Sequence, residues 1–498
     1  MAKRSFTMAN KQTSTASYII KLLIGIFLMY GINPMGINAA GILPAGYAAI
    51  GIFIGVLFLI LTGYGLILPA MLGLFAIIQT GVYTPATMIS STFGGSTIFQ
   101  LIMVYAVCEG LTMTGAGEFL AKWMISRKSI QGKPFLFTFV YLLACVVMGA
   151  VVGMGGIVFM YTIQDYIKDE LGYEQESKWS KAMSIATFVA AQSGMALLPF
   201  KGMPFIIFAP MIAAMEKYGI DLNYGVYMLV ALIVILALCL MMIGFMKIVW
   251  KTDMSKLVSL DITKREDMQN LKMTKHQLYC FLAFLLTILY SLALIAFKDV
   301  PSIYKPLNGI TQGVWFMLVF AVMCIIRVDG KPIINPEKAL KNGVNWGVII
   351  TVCCFTLVGN MISSQDLGIR AWINSTVGPV FSAMAFPIFM LILIVLCSFI
   401  TNFMSNTALG MIMGTLAAPF VATYATDAGI NATVVMTGIT VACMYAFLTM
   451  SASGCSPLFL CRKEIESDGK FVWTKGLSVS IVGTIIMWIL FTVFAYIF

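Results

Sequence analysis

Residues 386–422 are apolar over a length that exceeds one bilayer crossing of about 20 residues, yet Thr401, Asn402, Ser405, Asn406 and Thr407 sit at their middle. In hydrocarbon each unpaired polar group costs several kcal/mol. Such a run can neither continue as one straight span nor show its centre to lipid. It is expected to turn back on itself, with the polar cluster buried in protein, lining a wet cavity or holding a ligand. Residues 135–167 are similarly too long for one crossing and have glycines at mid-length. Both stretches read as re-entrant helical hairpins.

The rest of the chain repeats the apolar theme. Of 498 residues, 60% are hydrophobic and 10% charged, against roughly 25% charged in soluble domains. Apolar segments cover 18–30, 47–62, 65–78, 98–111, 185–214, 224–249, 278–297, 311–326, 344–362, 434–460 and 477–498. The fold class is therefore an all-α polytopic membrane protein of about 11 transmembrane helices plus two re-entrant hairpins. That count puts the N terminus in the cytoplasm and the C terminus outside, in a cell (inner) membrane. Ala39-Ala40-Gly41 imitates a signal-peptidase site, but a retained first helix is the expectation.

The charges fit this topology. With Met1 cytoplasmic, only Lys217, Lys298, Lys305 and Arg370 of the 31 Lys and Arg residues fall outside; Lys201 lies in the membrane and the rest inside. The net charge of +10 thus reports topology and contact with anionic lipid, and no nucleic acid is expected as a partner. The 11 cysteines lack metal-ligand spacing and sit in or at the ends of apolar segments, which suits small core residues. The single histidine, His276, lies at a membrane edge, leaving no material for His-based metal sites or Ser–His catalysis. No enzyme activity and no resident cofactor are expected.

The two halves resemble each other at one nearly constant spacing, which pairs Cys145 with Cys397, Gly153 with Ser405, Gly117 with Gly368 and Pro204 with Pro457. An odd number of spans per half makes the second copy inverted, the arrangement secondary transporters use to place substrate and ions at the repeat interface. Each half also has a helix broken at its centre, by Leu198-Pro199-Phe200-Lys201-Gly202-Met203-Pro204 and by Ser451-Ala452-Ser453-Gly454-Cys455-Ser456-Pro457. Backbone groups freed there can coordinate ions or anions. The implied division is a scaffold of residues 1–133 and 276–384, a cytoplasmic linker at 251–275, and a transport domain of residues 134–250 and 385–498.

A hairpin tip reading Ser405-Asn406-Thr407, followed by a helix broken at a small-residue and proline stretch, resembles the divalent anion/sodium symporter family of the ion transporter superfamily. The stretch 105–123, with Thr114-Gly115, is similar to that family's helix before its first hairpin. The resemblance implies an elevator mechanism, a homodimer, and a site for a small organic anion, a di- or tricarboxylate, flanked by Na⁺ as coupling ion. On that basis Ser405, Asn406 and Thr407 hold an anionic group and a cation, with Thr401, Ser453, Gly454 and Ser456 completing the cation shell. Gly153 and Gly155 take the matching substrate-binding places at the first tip.

The first half departs from the pattern. Thr401, Ser405, Asn406 and Thr407 correspond to Gly149, Gly153, Met154 and Gly155, so the side-chain oxygens are gone, and Lys201 stands where the family has a threonine. A tethered ammonium supplies the unit charge of one ion, so Lys201 either replaces that ion or pairs with a substrate carboxylate; snorkelling to an interface is the plain alternative. Gln192 and Ser193, just before the first break, suit either a cavity or helix packing. Glu109 is either interfacial or a buried carboxylate. The expected function is secondary active transport of small organic anions coupled to Na⁺ or H⁺. A cation/proton antiporter of the same superfamily is the nearest alternative, and a membrane-embedded transferase a more distant one.

Overall fold

A computed structural model describes residues 15–38, 40–62, 64–65, 67–262, 268, 271–297, 300–344, 346–362, 364, 366–376, 384–403, 405–449 and 452–498. Lys3, Arg4, Lys11, Lys264, Arg265 and Lys298 of the charge pattern, and Ser451 of the second break, lie outside them. The described chain is helical almost throughout, with one two-stranded antiparallel ribbon that pairs Arg327 with Pro332 and Val328 with Lys331. Asp329 and Gly330, at φ 51° and 80°, turn that ribbon, the Asp-Gly solution for a tight hairpin.

Four of the described helices are long and apolar enough to cross a membrane: Pro134–Val152, Tyr224–Val249, Asn406–Ala428 and Val472–Ile497. The number rises to six if two bent pairs each count as one span: Ile98–Thr114 with Ala116–Ile125, bent by 57°, and Pro301–Gly309 with Gly313–Ile325, bent by 70°. Further apolar helices are shorter, among them Pro44–Ile60 and Phe386–Ile400. Length therefore supports fewer spans than the expected eleven, because breaks and bends divide apolar runs that look continuous in sequence. Only 28% of the apolar window of Val472–Ile497 is buried in protein, and Ile248 and Ile325 are 71% and 74% exposed. Apolar surface of this extent on long helices is covered by lipid, so the chain is an integral membrane protein. Of the cysteines, Cys461 is exposed and Cys324 half-buried, so the core reading fails at Cys461.

The chain divides into two compact units, residues 1–92 with 347–377, and 93–346 with 378–498. In the smaller unit, glycines let backbones meet: a Cβ on Gly51 would lie 2.5 Å from the Leu28 carbonyl oxygen. The larger unit contains both 134–250 and 385–498, together with the helix Ser96–Thr114.

Within the larger unit the element order recurs at the spacing that separates Cys145 from Cys397. The first hairpin has arms Pro134–Val152 and Met154–Glu170; the second has arms Phe386–Ile400 and Asn406–Ala428. After the first come helix halves Lys178–Gly194 and Gly202–Glu216, then Tyr224–Gly244. After the second come Ala432–Met444 and Ser456–Leu460, then Leu477–Ile497. Pro134 and Phe386 start the paired arms at that spacing, as do Met154 and Asn406.

The first hairpin reverses at one residue, Gly153, with φ 75° and ψ −132°, a conformation that requires glycine. Its first arm, Pro134–Val152, lies backbone to backbone on Lys178–Gly194. A Cβ on Gly194 would come within 2.4 Å of the Val146 carbonyl oxygen, so a side chain there would force the helices apart. The second helix break begins at Tyr445, earlier than the small-residue stretch that announced it. The reason lies in the hairpin tip that docks there.

Candidate functional site

The second hairpin tip closes onto the second broken helix through hydrogen bonds that replace missing helical ones. Ala432–Met444 ends with unsatisfied carbonyls, as every helix does. Thr401 Oγ1 donates to the Cys443 carbonyl at 2.6 Å. The Asn402 side-chain oxygen accepts from the backbone N–H groups of Phe447 and Leu448 at 3.0 and 2.9 Å, while its NH₂ donates to the Ser398 carbonyl at 2.8 Å. Thr449 donates its hydroxyl to the Asn402 carbonyl. Thr401 and Asn402 are fully buried. Past Met444 the Tyr445 and Ala446 N–H groups turn to the Ala442 and Met444 carbonyls, and the next two, of Phe447 and Leu448, are taken by a side chain from another element, Asn402. Sequence reasoning noticed Asn402 only as a neighbour of the tripeptide; its docking role depends on a contact between distant segments.

The tripeptide itself forms a compact polar group. Thr401 Oγ1 also approaches Asn406 Oδ1 at 3.3 Å, and Asn406 Nδ2 reaches Met444 Sδ at 3.9 Å. Ser405 Oγ and Thr407 Oγ1 lie 3.0 Å apart. Ser405 precedes the first turn of Asn406–Ala428, so the free N–H groups and positive end of that helix lie at the tip. Ser453 and Ser456 bond to each other at 2.9 Å, and Ser453 Oγ accepts from the Cys455 and Ser456 N–H groups. Gly454 is exposed. Thus Thr401 meets Asn406 and Ser405 meets Thr407, while Ser453 and Ser456 form their own pair. Hydroxyl and amide oxygens there can coordinate a cation, while the hydroxyls, the amide NH₂ and the free N–H groups of the helix N-terminus can donate to an anion.

At the first tip, Lys201 takes over the docking. Its ammonium donates to the Val151 carbonyl, one of the orphan groups ending Pro134–Val152. Lys201 precedes Gly202–Glu216 and interacts electrostatically with Glu109 of the helix Ser96–Thr114. Lys201 itself is half-buried. Gly153 makes the turn and Gly155 is exposed beside it. The first tip approaches the second helix break: Met154 Cε lies 3.8 Å from where a Cβ on Gly454 would be.

A charge network around the buried Glu464, which the sequence did not announce, ties the same elements together. Arg462 pairs with Asp165 at 2.5 Å and with Glu464 at 2.5 Å, and lies over the Tyr161 ring at 4.2 Å. Glu464 also accepts from Ser184 and from Gln175, both at 2.5 Å. Lys181 pairs with Asp468 at 2.8 Å. Burial pushes the Glu464 carboxyl up, but the Ser184 hydroxyl and Arg462 outweigh it and hold the group below its ordinary range. The hydrogen bond from Lys181 holds Asp468 down likewise. In sequence, residues 461–470 fall between the apolar segments 434–460 and 477–498.

A citrate transporter family profile matches residues 56–442. That span is well over half of the chain and includes the first hairpin, the first break and the second tip. The chain belongs to the citrate transporter family. The match supports the expected anion permease at the level of a citrate transporter family and does not reach the narrower divalent anion/sodium symporter assignment. No curated protein matches the chain at a significant level. The match covers Ser405, Asn406 and Thr407 and stops within Ala432–Met444, before Ser453 and Ser456.

Proposed function

We propose that the protein is a secondary active transporter of small organic anions of the di- or tricarboxylate class, citrate among them, driven by Na⁺ or H⁺. The observation that carries this reading is the docking of Thr401 and Asn402 on the broken helix. It groups the Ser405, Asn406 and Thr407 side chains with a helix N-terminus. That group offers donors to a carboxylate and oxygens to a cation. Thr401, Ser405 and Asn406 hold the cation, Ser453, Gly454 and Ser456 extend its shell, and Lys201 supplies the positive charge at the first tip. Substrate at the two tips crosses as the hairpin-bearing domain moves past a scaffold, an elevator motion, in a homodimer with its N terminus in the cytoplasm of an inner-membrane setting.

The decisive experiment is uptake of labelled citrate, and of succinate for comparison, into proteoliposomes with imposed Na⁺ or pH gradients. Accumulation driven by one gradient supports the reading. Uptake that neither gradient drives removes the coupling, and no uptake of either anion removes the substrate class.

A further inference from the structure

The last turn of Lys178–Gly194, immediately before the first break, carries two polar side chains that the docking just described does not use. Gln192 is 1% and Ser193 2% exposed. Neither Gln192 Oε1, Gln192 Nε2 nor Ser193 Oγ has a hydrogen-bond partner among the described residues. Leaving a buried amide and hydroxyl unpaired is destabilising, and such groups persist where they have work to do for a ligand.

The repeat supplies a comparison for these two residues. In the second half, Thr401 of the tip meets the Cys443 carbonyl at the end of its helix. At the repeat spacing the corresponding residues are Gly149 and Ala191, and a Cβ on Gly149 would lie 1.9 Å from the Ala191 carbonyl oxygen. The same two elements therefore touch at the same two positions in both halves. One position further along the helix and five along the hairpin, Asn406 faces Met444, with Nδ2 to Sδ at 3.9 Å. Their counterparts are Met154 and Gln192. Amide and thioether have changed sides: the second half carries its amide on the hairpin tip, the first half on the end of the broken helix.

We propose that Gln192 is the first half's ligand-binding amide, with Ser193 beside it, and that together with Lys201 they hold one carboxylate of the transported anion. Lys201 docks on Val151, two residues beyond Gly149 on the arm that touches Ala191, so its ammonium belongs to the same end of the same arm. The amide N–H and the serine hydroxyl donate to the carboxylate oxygens, the ammonium neutralises them, and the amide oxygen is left for a donor on the same ligand. The half that lost its tip oxygens thus keeps a polar site, supplied from the opposite element. This inference rests on the proposed transport of carboxylates.

The test is citrate binding to the purified full-length protein by titration calorimetry, alongside the melting temperature of the ligand-free protein. Gln192→Met is expected to weaken binding about 10- to 100-fold. Its ligand-free melting temperature should be no lower than that of the wild type, because an unpaired amide has been replaced by an apolar group. Adding Met154→Asn to Gln192→Met returns the amide to the tip, as in the second half, and should restore affinity to within about threefold of wild type. Unchanged affinity in Gln192→Met, with citrate bound by the wild type, overturns the inference and leaves the transport reading standing. A lower melting temperature with no restoration by Met154→Asn also overturns it, since the side chain is then a packing residue. A wild type that binds neither citrate nor succinate overturns both.

Discussion

Asn402 completes the helix that Phe447 leaves. Its side-chain oxygen accepts the Phe447 N–H at 3.0 Å, and the Leu448 N–H at 2.9 Å, in place of backbone carbonyls one turn back. Replacing Asn402 with leucine strands two buried donors, at about 1–3 kcal/mol each. The melting temperature of Asn402→Leu should fall by several degrees and uptake should be lost. Asn402→Asp, which keeps the acceptor, should melt closer to the wild type; equal melting of all three proteins would remove the docking role.

The tip side chains are expected to act on the ligand more than on the fold. Asn406→Ala and Thr407→Ala should each leave a protein that elutes as the wild type does, while losing a charge-assisted hydrogen bond worth roughly 1.5–3 kcal/mol, or about 10- to 100-fold in affinity. Labelled uptake against substrate concentration measures this. Wild-type kinetics in both variants would exclude the second tip from the site.

With one oxygen-rich tip and Lys201 at the other, Na⁺ activation should be hyperbolic, with a Hill coefficient of about 1. Initial rates against Na⁺ concentration check the number. A clearly sigmoidal curve would mean that Gly153 and its neighbours bind a second ion through backbone carbonyls, and a flat one would direct attention to H⁺.

Lys201→Met preserves length and removes the charge that sits at the Val151 carbonyl. Uptake should fall sharply, and Lys201→Arg should rescue it poorly, because a planar fork does not fit the place of a compact ammonium. Uptake followed from about pH 5.5 to about pH 9 in wild type and Lys201→Met separates two roles. A pH dependence that survives the substitution unchanged rules out Lys201 as a proton carrier, and undiminished uptake rejects both the ionic and the substrate role.

Glu464 links pH to stability with a definite sign. Its carboxyl is held below the ordinary value in the folded protein, so the stabilisation it confers is complete above the unfolded value, about 4.3. It is lost as pH falls through the lower folded value. Melting temperatures measured from neutral pH down to about pH 2.5 should decline, below about pH 4.3, more steeply in the wild type than in Glu464→Gln. Glu464→Gln should start lower at neutral pH, because Arg462 loses a buried partner. Parallel curves for the two proteins would contradict this.

Sequence by itself determined the class of the molecule and the addresses of its special places. Apolar runs specify membrane helices because lipid offers backbone groups no partner, so the helices must satisfy themselves. A polar tripeptide in residues 386–422 specifies a turn for the same reason, and the turns at Gly153 and before Asn406 fall within the two runs read as hairpins. What sequence left open was which polar group meets which. The early end of Ala432–Met444 comes from Asn402, the docking of the first tip from Lys201, and the burial of Glu464 from Ser184 and Gln175. Each of these joins residues far apart in the chain, where periodicity and propensity carry no information. Hydropathy is a property of one segment, and a hydrogen bond between segments exists only once packing has removed the water and lipid that would otherwise separate them.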